Sequence, residues 1–187
     1  MNAQEPILRR LADRAEIQDV LLRYARGVDR RDWDLIRSSF HPDAWDDHGA
    51  YRGGVEGLIE WVSRRHDKIG QSMHFLGNCL IEFADEDTAL VETYYSALQR
   101  LGDEAGESKA MLLGDATADV DITVLGRYID RFERRDSAWK IAKRVSLYEA
   151  IRAQPAPDAS PNPAYDWAER DRSDKLYEMQ ANVFGAP

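Results

Sequence analysis

The chain has 187 residues, of which 43% are hydrophobic and 10% aromatic, so it can bury the core of one domain. Its 34 acidic and 25 basic side chains give a formal net charge of −9, which argues against binding to nucleic acid or anionic membranes. The single cysteine, Cys79, excludes an internal disulfide and a cysteine-based zinc site. Without an apolar run of about 20 residues, and without a signal peptide in residues 1–10, we expect a cytoplasmic protein.

The first part of the chain predicts helices. Residues 5–31 form one amphipathic pattern, whose buried stripe contains apolar residues at helical spacing: Leu11, Ala15, Leu22 and Ala25. Asp32 is the expected N-cap of a short second helix over 33–40. This helix ends before Pro42, because proline disfavours helical backbone in the residue that precedes it.

The apolar period then changes from helical to alternating. Residues 44–51 predict a short strand closed by a Gly53–Gly54 turn, and residues 55–69 predict a third helix. The later segments are a strand at 72–83, a strand at 89–101, a polar loop at 102–107, a strand within 120–134 and a strand at 139–148. Helices followed by a meander of long antiparallel strands predict an α+β fold.

Prolines separate the C-terminal region from the rest. Residues 154–163 hold four of the seven prolines and predict a linker, so we divide the chain into a domain at 1–153 and a tail at 154–187. The tail has a possible short helix over 171–180, and its aromatic content exceeds that of a typical disordered segment. We therefore expect it to pack across the mouth of a pocket or against a neighbouring subunit.

Asp29 is the most informative residue of the first helix. It lies on or beside the apolar stripe, where a carboxylate needs a partner because burying an unpaired charge is costly. The alternative is a helix-end aspartate that faces water or caps the next turn.

His74 is the second candidate. It lies on the strand face opposite Met73 and Phe75, and this face is shared with Leu76, Asn78 and Leu80. A buried neutral imidazole near a carboxylate is a good general base. The alternative is a core histidine whose hydrogen bonds are satisfied by its neighbours.

Tyr24 and Arg144 are weaker candidates. The Tyr24 hydroxyl can bind a substrate oxygen, or it can bond a backbone group inside the core. Arg144 lies in the middle of the last strand and is either a charge clamp in a cavity or a surface residue.

A group of metal-binding residue types occurs near the short strand: His41, Asp43, Asp46, Asp47 and His48. Their spacing matches no known metal motif, and we expect a solvated turn leading into a strand rather than a metal site. The sequence also has no glycine-rich phosphate loop and no nucleophile elbow, so we expect neither metal nor cofactor.

The order of elements resembles the nuclear transport factor 2-like superfamily of cone-shaped α+β barrels. Short sequence segments within about residues 7–150 are similar to its SnoaL-like branch: Ala15–Asp19, Tyr24, Gly27–Asp29, Phe40–Ala44, Tyr51–Gly53, Met73–Phe75 with Asn78, Tyr128–Arg135 and Trp139–Ile141. The resemblance is to cofactor-independent lyases such as scytalone dehydratase, bile-acid 7α-dehydratase and hexachlorocyclohexane dehydrochlorinase. It implies three N-terminal helices packed on a curved antiparallel or mixed sheet that encloses a hydrophobic pocket.

The same resemblance implies roles for individual residues. Asp29 and His74 match the catalytic pair of these lyases, Tyr24 matches the tyrosine five residues before the aspartate, and Arg144 matches an arginine late in the last strand. The adjacent Lys143 is the alternative for that arginine. We also expect substrate contacts from Asn78, Tyr95, Tyr128 and Trp45.

These observations predict a cofactor-independent lyase that eliminates a small leaving group from a hydrophobic oxygenated substrate, such as a steroid or a lignin-type aromatic. Water is the expected leaving group and formaldehyde the second. The rival classes are an isomerase or cyclase acting in the same pocket, and a non-catalytic binding module similar to an oxygenase small subunit.

The expected partners are a small hydrophobic substrate and further copies of the chain. Strand faces opposite the pocket are predicted to carry Phe75, Ile81 and Phe83, or Tyr95 on the next strand, and so much apolar surface is unusual on a monomer. We therefore expect a homo-oligomer, with a trimer favoured over a dimer.

Overall fold

The computed structural model describes residues 4–114, 119–157 and 162–185. The helices are α1 (Glu5–Asp29), α2 (Trp33–Ser38), α3 (Val55–His66), α4 (Gly106–Leu113) and α5 (Lys175–Phe184), with a 3₁₀ turn at Asp103–Ala105. The strands are β1 (Phe40–Asp47), β2 (Arg52–Gly54), β3 (Ile69–Phe83), β4 (Thr88–Leu101), β5 (Val120–Arg135) and β6 (Ala138–Pro155). Within the described ranges, none of the helices is both long and apolar enough to cross a membrane.

The strands form one open, curved sheet in the order β2-β1-β6-β5-β4-β3. Neighbouring strands are antiparallel except β1 and β6, which are parallel, so the sheet is mixed. Helices α1 and α3 pack against this sheet, and the long strands β3 to β6 come from the alternating half of the sequence. The predicted α+β class, with three N-terminal helices on a curved sheet, is confirmed.

The buried stripe of α1 differs from the predicted one. Leu11 and Leu22 are exposed, whereas the residues that face the sheet are Ile17, Val20, Leu21, Tyr24, Ala25 and Val28. The buried stripe also includes the polar Asp13, whose carboxylate accepts hydrogen bonds from the Trp139 indole and from Arg134. Apolarity alone therefore predicted the wrong phase, because a polar residue occupies the first turns of the buried face.

The region around β1 also differs from the prediction. Strand β1 begins at Phe40 instead of residue 44, because Phe40 pairs with Ile141 of β6. Gly53 and Gly54 pair with β1 as strand β2 and do not form the expected turn. Asp32 does cap α2, since its Oδ1 accepts the backbone N–H of Leu35 at 3.2 Å.

A bulge in β3 reverses the direction of its side chains. The pairing with β4 shifts register between Leu76 and Cys79. Leu80, predicted to share the face of His74, is consequently exposed, and Ile81 is buried instead. The prediction that Ile81 and Phe83 lie on the outer face is wrong for the same reason, whereas Phe75 is indeed exposed. Tyr95, on β4, was also expected outside and instead lines the pocket on the inner face.

The last third contains an element that the sequence pattern missed. Helix α4 follows the 3₁₀ turn inside the expected polar loop. Strand β6 runs to Pro155, two residues into the predicted linker. The tail helix α5 is formed at 175–184 instead of 171–180, with the Asp174 carboxylate accepting the backbone N–H of Leu176 at 3.0 Å.

Candidate active site

A pocket lies between α1, α3 and the inner face of the sheet. It encloses about 490 Å³ between atoms, counting its open mouth. Apolar and aromatic side chains line it together with polar ones: Tyr24, Val28, His48, Trp61, Val62, Arg65, His66, His74, Tyr95, Ala97, Gln99, Leu112, Val124, Tyr128 and Tyr148. An aromatic wall with a few convergent polar groups is typical of a small-molecule site.

The first dyad, Asp29 with His74, joins the end of α1 to β3. Asp29 Oδ1 accepts hydrogen bonds from His74 Nδ1 at 2.7 Å and from the Ser72 hydroxyl at 2.9 Å, and its Oδ2 accepts the His74 backbone N–H at 2.7 Å. Ser72 and His74 are two residues apart on a strand, so both side chains leave the same face. Because Nδ1 donates to the carboxylate, the free ring nitrogen of His74 is Nε2.

The hydrogen bonds keep Asp29 ionised. Burial alone would raise the pKa of the Asp29 carboxyl, but the hydrogen bonds and charge of His74, with help from Ser72, lower the pKa below its usual value. An ionised, well-bonded carboxylate holds the imidazole in one tautomer and stabilises the imidazolium that forms when His74 accepts a proton.

The second dyad, Asp46 with His48, lies at the end of β1 and also reaches the pocket. His48 Nδ1 bonds Asp46 Oδ1, and its Nε2 lies 3.5 Å from the Tyr24 hydroxyl. The two residues are two apart, so both face inward from the strand end. Gly49 then adopts a φ of +73°, a left-handed conformation that glycine accepts readily and that turns the chain away.

Both members of the second dyad are buried, with exposures of 0% for Asp46 and 9% for His48. The expected solvated turn is therefore wrong at these two positions and at His41, which is also buried, although Asp43 is exposed. Across the described ranges, no group of three or more histidine, cysteine, aspartate or glutamate side chains is arranged to hold a metal ion.

Tyr24 stands between the second dyad and an aromatic cluster. Its ring meets those of Phe40 and Tyr128 edge to face, at centroid distances of 5.8 and 5.7 Å. Burial raises the pKa of Tyr24 well above its usual value, and the Arg144 charge offsets only part of that rise. Tyr24 therefore remains a phenol that can donate a hydrogen bond.

Arg144 faces inward, while the adjacent Lys143 is exposed. Its guanidinium donates to both oxygens of Asp130, at 2.8 and 2.6 Å, and lies 4.2 and 4.0 Å from the ring centroids of Tyr24 and Tyr128. Although burial alone would lower it, the Asp130 carboxylate raises the pKa of Arg144. The structure thus places Arg144 behind the two tyrosines rather than in the lining of the pocket.

Arg65 is the arginine that lines the pocket in the described part of the chain, and the sequence pattern did not indicate it. Its guanidinium lies 4.6 Å from the centroid of Trp61 and donates to the Ser108 hydroxyl at 3.3 Å. Burial lowers its pKa. No carboxylate of the described residues lies within ion-pair distance of Arg65, so its charge is available to a ligand.

The predicted substrate contacts divide into two groups. Tyr95 and Tyr128 line the pocket and stack on each other with ring centroids 4.4 Å apart. Asn78 lies at the β3 bulge and faces an outer groove, because the bulge reverses the strand faces. Trp45 precedes the inward-facing Asp46 and therefore points outward, with half of its surface exposed.

The described part of the tail packs behind the first dyad and does not line the pocket. Arg170 is buried and donates to the backbone oxygens of Val28, Asp29, His66 and Ile69, at 3.2, 3.1, 3.0 and 2.6 Å. It also donates to His66 Nδ1 at 2.8 Å. The described part of the tail therefore fixes the C-terminal ends of α1 and α3 and the start of β3.

Comparisons with known proteins agree with this architecture. Residues 9–145 match the SnoaL-like domain family. An uncharacterized protein of Mycobacterium tuberculosis is 29% identical over 140 residues, covering 72% of this chain and 84% of its own. The gamma-hexachlorocyclohexane dehydrochlorinase of Sphingobium indicum is 29% identical over 142 residues, covering 73% and 81%.

Solved structures of this kind share the fold. Hexachlorocyclohexane dehydrochlorinase LinA-type3 from Novosphingobium barchaimii is 25% identical, with a TM-score of 0.68 over 83% of this chain and 99% of its own. A Novosphingobium aromaticivorans protein provisionally named a scytalone dehydratase is 16% identical, with a TM-score of 0.63 over 84% and 98%. The family model spans well over half of the chain, and the protein therefore belongs to the SnoaL-like domain family, with the nuclear transport factor 2-like fold.

Proposed function

We propose that the protein is a cofactor-independent lyase of the cytoplasm, which removes a small leaving group from a hydrophobic oxygenated substrate. The observation that carries this proposal is the Asp29–His74 hydrogen bond inside the pocket, which leaves His74 Nε2 free. The relationship to dehydrochlorinases and to a dehydratase-like protein supports elimination chemistry.

In this mechanism His74 Nε2 takes a proton from a substrate carbon next to a carbonyl or aromatic group. The electrons of the C–H bond form the new double bond, and the leaving group departs with the electrons of its own bond. Asp29 stabilises the imidazolium produced on His74, because its ionised oxygen accepts the Nδ1–H throughout.

Other pocket residues bind the substrate oxygens. The Tyr24 hydroxyl is placed to donate a hydrogen bond to the leaving oxygen, and the Arg65 guanidinium to stabilise negative charge developing on a carbonyl oxygen. We assign that charge to Arg65 instead of Arg144, because Arg144 does not line the pocket and its Nε and Nη2 donate to Asp130. Arg144 positions Tyr24 and Tyr128 by stacking between them.

The stacked Tyr95 and Tyr128, together with Trp61, favour a flat substrate such as a steroid or a lignin-type aromatic. Water is the proposed leaving group. Formaldehyde is the second. The same base takes the proton of a CH₂OH group, the O–H electrons form the C=O bond of formaldehyde, and the electrons of the broken C–C bond stay on the remaining substrate carbon, which then takes up a proton.

An isomerase or cyclase is the alternative. The protonated His74 lies in the same aromatic pocket, so it can return its proton to another substrate carbon. The two classes differ in the mass of the product, which falls on elimination and stays the same on isomerisation or cyclisation.

A screen of steroid and lignin-type aromatic alcohols by mass spectrometry tests the proposal. We expect loss of water or formaldehyde in the wild type, and a loss of about 10²–10⁴-fold in His74→Gln. His41→Gln is the matched control, because His41 is also buried but bonds the Glu133 backbone oxygen outside the pocket. A His74→Gln protein that keeps more than about a tenth of the wild-type rate contradicts the assigned base.

We also propose that the chain forms a homo-oligomer, with a trimer favoured, through the outer face of the sheet. Large apolar side chains exposed on the strands support this: Met73, Phe75, Leu80, Leu90, Tyr94, Leu98 and Leu147. Phe75, 67% exposed on β3, is the side chain to replace. Light scattering is expected to show a smaller mass for Phe75→Lys than for the wild type, and a wild-type monomer contradicts the proposal.

A further inference from the structure

Asp46 and His48 form the second dyad, which the elimination described above does not use. Both dyads bond a buried carboxylate to Nδ1 of a histidine that lines the pocket. They differ in how the carboxylate is bonded. Asp29 receives three hydrogen bonds, from His74 Nδ1, the His74 backbone and the Ser72 hydroxyl.

Among the described residues, His48 alone donates a hydrogen bond to Asp46. Its Oδ2 is buried and has no hydrogen-bond donor among the described residues. A buried, ionised carboxylate whose oxygen accepts no hydrogen bond destabilises the folded state unless a positive charge is close, because neither water nor protein dipoles compensate its charge.

Two cations lie near the second dyad, and in the described part of the chain neither donates a hydrogen bond to Asp46. Arg144 on β6 is the cross-strand partner of Asp46; its Nε and Nη2 donate to Asp130 on β5, and its Nη1 is buried without an acceptor among the described residues. Arg65 on α3 lines the same pocket and donates to the Ser108 hydroxyl. From α1 the neighbour is the phenol of Tyr24, and from α3 and β5 the rings of Trp61 and Tyr128 face the imidazole at centroid distances of 6.0 and 6.2 Å.

We propose that the second dyad is the proton donor of the site: Asp46 holds His48 in its protonated form, and His48 supplies the proton that Tyr24 passes to the leaving oxygen. The inference rests on the proposed lyase function and extends it from one base to an acid and a base in the same pocket.

His74 Nε2 takes the proton from carbon and the C–H electrons form the double bond. The C–O electrons stay with the departing oxygen, which takes the Tyr24 proton and leaves as water, while Tyr24 takes the Nε2 proton of His48 across the 3.5 Å separation. His74 is then protonated and His48 neutral, and exchange with water restores both.

This assignment predicts a dependence on the leaving group. Hydroxide is a poor leaving group that needs a proton, whereas chloride departs without one. The probes are 3-hydroxy-1-phenylpropan-1-one and 3-chloro-1-phenylpropan-1-one, which give the same vinyl ketone. We expect His48→Gln to lose about 10²-fold on the hydroxy probe and less than about 3-fold on the chloro probe, with the same pattern in Tyr24→Phe.

His41→Gln is the control, since this buried histidine of the same strand lies outside the pocket and is expected to affect both probes equally. Equal losses on both probes in His48→Gln overturn the proposal.

Nitrogen NMR of the imidazole rings gives a test that does not depend on turnover. At pH 7 we expect both nitrogens of His48 to be protonated and His74 to be neutral with its proton on Nδ1. In Asp46→Asn, where the volume is unchanged but the charge is gone, His48 is expected to become neutral. A neutral His48 in the wild type overturns the proposal. If the wild type converts neither probe, the lyase function is what fails, and the NMR spectrum alone decides the state of His48.

Discussion

Asp29–His74 and Asp46–His48 have the same two side chains and the same Nδ1 contact, but the chain builds them in different ways. The first pair joins residues 45 positions apart, from the end of α1 to β3. The second joins residues two positions apart on one strand end. The first carboxylate sits among several donors and the second has one. Under the roles proposed above, we infer that the number of donors around a buried carboxylate decides whether its histidine works as a base or as an acid.

Replacing each aspartate by asparagine is the strongest way to break this comparison. We expect Asp29→Asn to lower kcat by about 10²–10⁴-fold on any leaving group, because the amide can no longer hold the Nδ1–H tautomer of His74 or stabilise its imidazolium. Asp46→Asn is expected to lower the rate only for oxygen leaving groups. Steady-state kinetics on the hydroxy and chloro probes, with circular dichroism as a check on folding, distinguishes the two. Identical profiles for the two variants would show that the dyads do the same job.

The two dyads were not equally visible in the sequence. The residue pattern alone did not show whether Asp29 and His74 form a pair. The resemblance to the catalytic pair of the family predicted that they do, although they lie 45 residues apart in the sequence. Asp46 and His48 needed no long-range information, because alternate residues of a strand share a face. Both lie within the strand predicted at 44–51, but the burial of that strand face comes from the pairing of β1 with β6 and the packing of α3 on β1, which no local pattern shows.

Positions set by tertiary contacts were the ones that the sequence could not predict. The long strands and the first three helices follow from apolar periodicity, so the fold class was predicted well. The β3 bulge turns Asn78 outward. It depends on the pairing of β3 with β4, which the alternation of apolar residues along β3 does not show. Arg65 follows one helical turn after Trp61 on α3, and only the docking of α3 onto the sheet shows that both line the pocket.

Arg170 offers a second way to separate the dyads, because it supports only the first. It donates to five acceptors at the ends of α1 and α3 and at the start of β3, and none belongs to the second dyad. We expect Arg170→Gln to lower the free energy of unfolding by about 2–4 kcal/mol, since buried carbonyl oxygens lose charged donors. Urea unfolding measures the loss.

The matched control is Arg172→Gln, in the same tail. Arg172 is largely exposed and pairs with Asp32 at 3.2 Å, so we expect a loss below about 1 kcal/mol. The NMR signature of His48 is expected to stay unchanged in Arg170→Gln, while that of His74 changes. Equal stability of Arg170→Gln and wild type would show that the tail is a passive appendage.

The pH dependence of the free energy of unfolding is expected to come from His66, and a His66 variant distinguishes it from the pH dependence of catalysis by the first dyad. Burial, with the charges of Arg170 and Arg65, lowers the pKa of His66 well below its usual value of about 6.5. As the pH falls through about 6.5, the unfolded chain binds a proton that the folded chain excludes, so stability falls by up to about 1.4 kcal/mol per pH unit. We expect His66→Asn to flatten this slope between about pH 6.5 and 5 in urea titrations. An unchanged slope would mean that another group carries it.

Ser72 gives the most direct test of whether the hydrogen-bond donors to Asp29 set the basicity of His74, and it has the smallest expected effect on the rate. Ser72→Ala removes one of the three donors to Asp29, the hydroxyl at 2.9 Å from Oδ1, and leaves the two from His74. The carboxyl pKa of Asp29 is then expected to rise, and the more basic carboxylate holds the proton on His74 more tightly. The first dyad thereby moves toward the state of the second.

We expect the acid limb of kcat/KM for Ser72→Ala to move up by less than about one pH unit, and the rate at pH 7 to fall by less than about 10-fold. The matched control is Ser39→Ala, a fully buried serine whose hydroxyl donates to the Leu35 backbone oxygen at 3.0 Å, outside the pocket. A pH–rate profile measured at constant ionic strength for all three proteins decides the point. If the limb moves down, or moves equally in Ser39→Ala, then the count of donors on Asp29 does not set the basicity of His74, and the distinction between the two dyads must come from the shape of the pocket around each imidazole.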